Sequence, residues 1–166
     1  TPKCPSYGYY FGKKDHVEQW KIYYPKRSDY RFIGNISTKT IQGYRQLPKN
    51  SKLLVITKSL KDCACLYSMG IPACAPQSET QFISNTILED LRQRFDKIVL
   101  LFDSDLTGVH YTNVLRRKYD FLIPCIIPRR YGAKDISDFY KKYGREGTIE
   151  FIKESIKYIK EWERHR

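Results

Sequence analysis

Short apolar runs recur through the later two-thirds of the chain, and each ends abruptly in charge. LLVIT at 53–57 runs into Lys58, KIVLLF at 97–102 into Asp103, and FLIPCIIP at 121–128 into Arg129 and Arg130. Runs this short suit strands buried on both faces of a parallel sheet. IPACAP at 71–76 adds a further strand, and the prolines of FLIPCIIP point to an edge strand or a break. Between the runs the period becomes helical. Leu60, Cys63, Ala64 and Tyr67 share one side of a helix that Ser59 caps and Gly70 stops. Ile83, Ile87, Leu88, Leu91 and Phe95 make an amphipathic helix, and TGVHYTNVLRRKY at 107–119 makes the next. A short helix is expected within 135–144. A last helix follows it, with Ile149, Ile152, Ile156 and Ile159 as its apolar stripe. The alternation predicts an α/β fold with a mainly parallel sheet flanked by helices.

The first fifty residues differ in character. WKIYYP at 20–25 and YRFIGN at 30–35 read as short strands around the turn-prone KRSD, so a small, mostly β lobe is expected over 1–50. The α/β region then covers 51–144, and a C-terminal amphipathic helix covers 145–166. The formal net charge of +12 points to a polyanionic partner. Residues 1–50 carry ten Lys or Arg against three acids. Lys13, Lys14, Lys21, Lys26, Arg27, Arg31, Lys39 and Arg45 lie there among aromatic residues. Such cations neutralise phosphates, and aromatic rings stack the bases of a single strand. The plainer reading of Tyr23, Phe32 and Tyr44 is that they form the core of the lobe.

Five cysteines, at 4, 63, 65, 74 and 125, form no CxxC pair, and their number is odd. Reduced thiols in a cytoplasmic setting are expected, with no disulfide framework and no zinc site. The apolar runs are too short to span a bilayer and nothing reads as a signal peptide, so no membrane role is expected. The chain opens on Thr1 rather than methionine, which is the expectation for a piece of a longer protein.

In parallel sheets of this kind, sites form outside the carboxyl ends of the strands. Asp103 and Asp105 stand there, and residues i and i+2 of an extended segment point to the same side. Two converging carboxylates repel unless a cation or proton relieves them, and Mg²⁺ (or Mn²⁺) is a natural partner for such oxygens. Helix capping accounts for Asp105 alone but does not require Asp103. Asp62, three residues after Ser59, fits a capping box, and Asp135 and Asp138 fit the first turn of a helix.

VITKSLKDCACLYSMGI (55–71), LLFDSDLTGVHYTN (100–113) and IPRRYGAKDISDFYKKYG (127–144) resemble the Toprim domain of primases, topoisomerases and some nucleases. The resemblance covers 53 to 144 and is most specific at FDSDLTG. WKIYYPKRSDYRFIGN and TIQGYRQLP resemble the small basic lobe that precedes Toprim in DnaG-type and phage DNA primases, with Asn35 near an asparagine of that lobe. The resemblance implies the RNA-polymerase core of a primase in a bacterial or phage-infected cell. It implies joining of ribonucleoside triphosphates on single-stranded DNA with Mg²⁺ or Mn²⁺, and a helicase domain or protein as a neighbour. By the same carry-over, Asp62, Asp103 and Asp105 are the catalytic acids. Asp103, Asp105 and Asp135 are the metal ligands, and Arg129, Arg130 and Lys134 are phosphate contacts. One position departs from the pattern. The family's glutamate at the end of the first strand is Lys58 here, and its partner glycine is Ser59. A lysine cannot bind Mg²⁺, so three readings follow: a binding module without catalysis, a lysine holding nucleotide phosphate, or another acid such as Glu79 in substitution. A Toprim nuclease is the remaining alternative.

Overall fold

The computed structural model describes residues 5–77 and 83–164, with side chains to Tyr158. Glu79 therefore lies outside the described residues. Two compact units emerge, Thr1–Thr40 and Ile41–Arg166.

The first unit is an antiparallel sheet of β1 (Tyr7–Lys14), β2 (Val17–Tyr23) and β3 (Phe32–Gly34), in that order. β2 and β3 flank KRSD as expected. β1 was not expected, because tyrosines occupy both faces of YGYYFGKK and a register shift between Tyr10 and Lys13 breaks the two-residue period. The turn from β1 to β2 holds Asp15 and His16 at φ 51° and 65°. Two left-handed residues in succession give the twist that a tight hairpin needs. Tyr7, Tyr23 and Phe32 stand abreast across the three strands, with ring centroids 6.3 and 4.9 Å apart. Of the residues read as the core of the lobe, Tyr23 is half-buried here and Tyr44 belongs to the second unit. Phe32 is 50% exposed.

In the second unit, β4 (Leu54–Thr57), β5 (Ala73–Cys74), β6 (Ile98–Leu101) and β7 (Leu122–Pro124) form a parallel sheet in the order β5-β4-β6-β7. Four helices surround it: α1 (Leu60–Ser68), α2 (Asn85–Arg94), α3 (Leu106–Lys118) and α4 (Ile136–Arg164). Strand alternation sorts the core into two layers. Val55, Val99 and Leu101 pack with Cys63 and Leu66 of α1 and with Phe139, Phe151 and Ile152 of α4. Leu54, Ile56, Ile98 and Leu100 pack with Leu88 and Leu91 of α2 and Leu115 of α3. Every residue of β4 and β6 is buried, which is why their sequences read as unbroken apolar runs. Each such side chain contributes about 1.5–3 kcal/mol of burial.

Residues 41–50 belong to this unit, although their composition matches the basic lobe. Gln42 exchanges both backbone hydrogen bonds with Ala75, at 2.7 and 2.9 Å, and extends the sheet past β5. The Tyr44 hydroxyl donates to Asp90 at 2.6 Å, and Leu47 is buried. The Arg94 guanidinium donates to the carbonyls of Pro48 at 2.9 Å and Lys49 at 3.3 Å. Along α4, Gly144 sits at φ 70° and ψ −174°, which breaks the helix. Beyond the break, Phe151, Ile152 and Ile156 are buried, and Phe151 stacks on Phe139 at 4.7 Å. The apolar stripe therefore packs on the unit's own core; the side chains of Ile159 and Trp162 lie outside those described. No helix among the described residues is long and apolar enough to cross a membrane. Cys63, Cys65, Cys74 and Cys125 are free thiols.

Candidate active site and nucleic-acid surface

β4 and β6 are adjacent and parallel, with Thr57 opposite Leu101, so the residues that follow them emerge side by side. Lys58 and Asp103 meet there, the Lys58 ammonium donating to Asp103 Oδ2. Lys134 reaches the same oxygen at 3.2 Å and Asp105 Oδ2 at 3.1 Å. The loop that carries Lys134 is held in place by Ser104, whose N–H donates to the Lys134 carbonyl at 3.0 Å. Asp103 is only 2% exposed, and its other oxygen, Oδ1, is buried without a hydrogen-bond partner.

Asp105 is the N-cap of α3, its Oδ1 accepting from the Gly108 N–H at 3.0 Å. That hydrogen bond, with Lys134 beside it, holds the Asp105 carboxyl below the usual aspartate range. Asp105 and Asp103 in turn raise the Lys134 ammonium above its ordinary value. Gly108 explains the glycine of FDSDLTG. A Cβ there would lie 2.2 Å from the Asp103 carbonyl oxygen, so only glycine lets α3 start this close to the end of β6.

A second polar cluster joins the starts of α1 and α4. Ser59 caps α1 by accepting from the Asp62 N–H, and its hydroxyl donates to Asp62 Oδ2 at 2.7 Å. Ser137 donates to Asp62 Oδ1 at 2.5 Å. Burial, and then the charge of Asp135, raise the Asp62 carboxyl, against the pull of the two hydroxyls. Asp135 accepts from Lys61 at 2.9 Å and caps α4 through the Asp138 N–H at 2.8 Å. Burial alone would lower Lys61, but its bond to Asp135 and the charges of Asp62 and Asp138 raise it overall. Ser137 carried no signal in the sequence, because its partner is 75 positions away.

The expected set of metal ligands is therefore not assembled. Asp135 is tied to Lys61 rather than joined to Asp103 and Asp105, and no group of three His, Cys, Asp or Glu among the described residues could hold a metal ion. The Oδ2 atoms of the aspartate pair face ammonium groups instead. These side chains do not fit a resident Mg²⁺. Arg129 and Arg130 are exposed on a short 3-10 turn before Lys134.

In the first unit the cations differ in availability. Lys13, Lys14, Lys26, Arg31 and Lys39 are exposed, and so is Arg45 in the second unit. Lys21 is buried with its ammonium 4.3 Å over the Phe32 ring, and burial lowers its pKa. Arg27 is held by both oxygens of Asp29, at 3.0 and 2.7 Å, and lies 3.8 Å over the Tyr30 ring. Asn35 acts within the sheet: its Oδ1 accepts from the Trp20 N–H at 2.9 Å and its Nδ2 donates to the Glu18 carbonyl at 2.8 Å.

A small antiparallel basic unit, and a parallel sheet with charged residues at the ends of β4 and β6, together have the fold of primase catalytic cores. Three solved structures show the likeness. The primase domains in a bacteriophage T7 lagging-strand DNA polymerase structure, bound to an RNA/DNA hybrid and dTTP, align with a TM-score of 0.62 at 13% identity, over 88% of this chain and 74% of theirs. The zinc-binding and RNA polymerase domains of Aquifex aeolicus primase align at 0.63 and 16% identity, over 82% of this chain and 36% of that one. The DnaG primase catalytic domain bound to single-stranded DNA aligns at 0.64 and 14% identity, over 83% of this chain and 47% of that one. The chain thus spans less than half the length of the last two. No protein-family model matches it, and no curated protein matches its sequence.

Proposed function

We propose that this chain is part of the catalytic core of a DNA primase, acting on single-stranded DNA and ribonucleoside triphosphates to make short RNA primers. The observation that carries the reading is the meeting of Lys58, Asp103, Asp105 and Lys134 at the ends of adjacent parallel strands, in a fold shared with primase cores. The chain's own residues supply binding and orientation. Exposed Lys13, Lys14, Lys26 and Arg31 attract template phosphates. Arg129, Arg130 and the exposed Lys134 offer cations to a triphosphate beside the aspartates. A bacterial or phage setting and a helicase partner belong to the same proposal.

The ammonium contact on Asp103 favours a second reading, in which the unit binds nucleic acid and nucleotide without joining them. A primer-synthesis assay separates the two. The chain is incubated with single-stranded DNA, labelled ribonucleoside triphosphates and Mg²⁺ or Mn²⁺. Template-dependent short RNA is the expected product, and it should vanish with Asp105→Asn. Binding of single-stranded DNA with no product would support the second reading instead.

A further inference from the structure

Lys58 after β4, Asp103 and Asp105 after β6 and Lys134 on the loop before α4 bring together two carboxylates and two ammonium groups, whose formal charges balance. We propose that Lys58 is a tethered counter-ion, a covalently attached substitute for a divalent cation that keeps the Asp103–Asp105 pair closed to a resident metal. The inference rests on side-chain geometry and not on the primer-synthesis reading.

Asp103 is almost wholly buried, and a buried carboxylate must have a positive partner close by. Both ammonium groups converge on the same oxygen, Oδ2, while Oδ1 is buried and meets no donor. Oδ2 is therefore already met by two positive groups, and Oδ1 is out of reach of solvent as the side chains stand. The two lysines are not equivalent. Lys134 lies on a loop, is 56% exposed and divides its contacts between the two aspartates, so it can leave in exchange for another partner. Lys58 directly follows β4, whose register against β6 is fixed by four residue pairs, and its side chain is 35% exposed. Its backbone is set by the sheet, and its ammonium donates to Asp103 Oδ2. A divalent ion entering here would meet Lys58 whether or not Lys134 had moved aside. The described residues also offer no third acid, histidine or cysteine to compensate. The proposal concerns a resident ion, and it holds whether or not a nucleotide carries its own.

The test is Mn²⁺ titration of the full chain, read by electron paramagnetic resonance of free Mn²⁺ and by paramagnetic broadening of the backbone amides of residues 103–108. The native chain should show no broadening of those amides at low millimolar Mn²⁺. Lys58→Glu should bind one Mn²⁺ at least about 100-fold more tightly than the native chain, since a nearby positive charge becomes negative. Adding Asp103→Asn to Lys58→Glu should abolish that site. Selective broadening of residues 103–108 in the native chain would overturn the proposal. So would a folded Lys58→Glu that binds Mn²⁺ no better than the native protein. If the variants fail to fold, the amides of the native chain decide the question alone.

Discussion

At the scale of single residues, Asp62 shows how a side chain that reads as a helix cap becomes a buried, titratable group. Its carboxyl is raised by burial and by Asp135, while Ser59 and Ser137 donate to it. The folded chain therefore retains a proton that the unfolded chain releases near pH 4, the ordinary aspartate value of about 3.9. Stability from this group is fully present below that value and falls as pH rises through the raised folded one. Asparagine cannot titrate. Urea denaturation at a series of pH values should show the native chain losing stability relative to Asp62→Asn from about pH 4 upward. Parallel profiles would mean that Asp62 does not titrate differently on folding. The aspartates themselves were legible, because acids directly after apolar runs stand out. Their partners were less so. Lys134 reads as a phosphate contact in the sequence, yet in the fold it bridges Asp103 and Asp105 from a loop that Ser104 anchors.

Among elements, legibility followed burial on two faces. β4 and β6 are enclosed by helices on both sides, so each of their residues is apolar or small enough to read as strand. β1 has no such covering, and its tyrosines serve both faces around a bulge. Segment 41–50 misled for another reason. Its composition is basic and aromatic, but Gln42, Tyr44 and Leu47 make long-range contacts that composition does not report. The second half of α4 was visible through its isoleucine stripe, and the fold shows what the stripe covers. Phe151 is buried against Phe139 and Tyr131, with Ile152 and Ile156 beside it in the same core layer. Phe151→Ala should cost about 3–5 kcal/mol, the usual range for a large aromatic removed from a core. Chemical denaturation measures it directly. A loss below about 1 kcal/mol would mean that this half of α4 is not held by its apolar face.

For the molecule as a whole, charge is the property that reaches furthest beyond the fold. The net charge of +12 is spread over both units, and the exposed cations of the first unit differ from those already engaged. Binding of single-stranded DNA should weaken steeply with salt. Lys26→Ala and Arg31→Ala should each reduce the slope of log affinity against log salt by about 0.7, the value for one phosphate contact on a single strand. Arg27→Ala should change it less, because Asp29 already holds that guanidinium. Slopes for Lys26→Ala and Arg31→Ala equal to that of the native chain would show that these exposed cations do not meet phosphate.

The Gln42–Ala75 pairing has a consequence for how this protein behaves in a crowded solution. An open sheet normally leaves a row of free N–H and C=O groups along each outer strand, ready to recruit a neighbouring chain. Here the outer side of β5 is met by the backbone of Gln42, whose side chain also donates to the Pro76 carbonyl at 2.6 Å. On the opposite side, β7 ends in Pro124, which has no N–H to offer. The parallel sheet is thus guarded against self-association at both margins, at one by the chain segment that leads into it and at the other by a missing hydrogen.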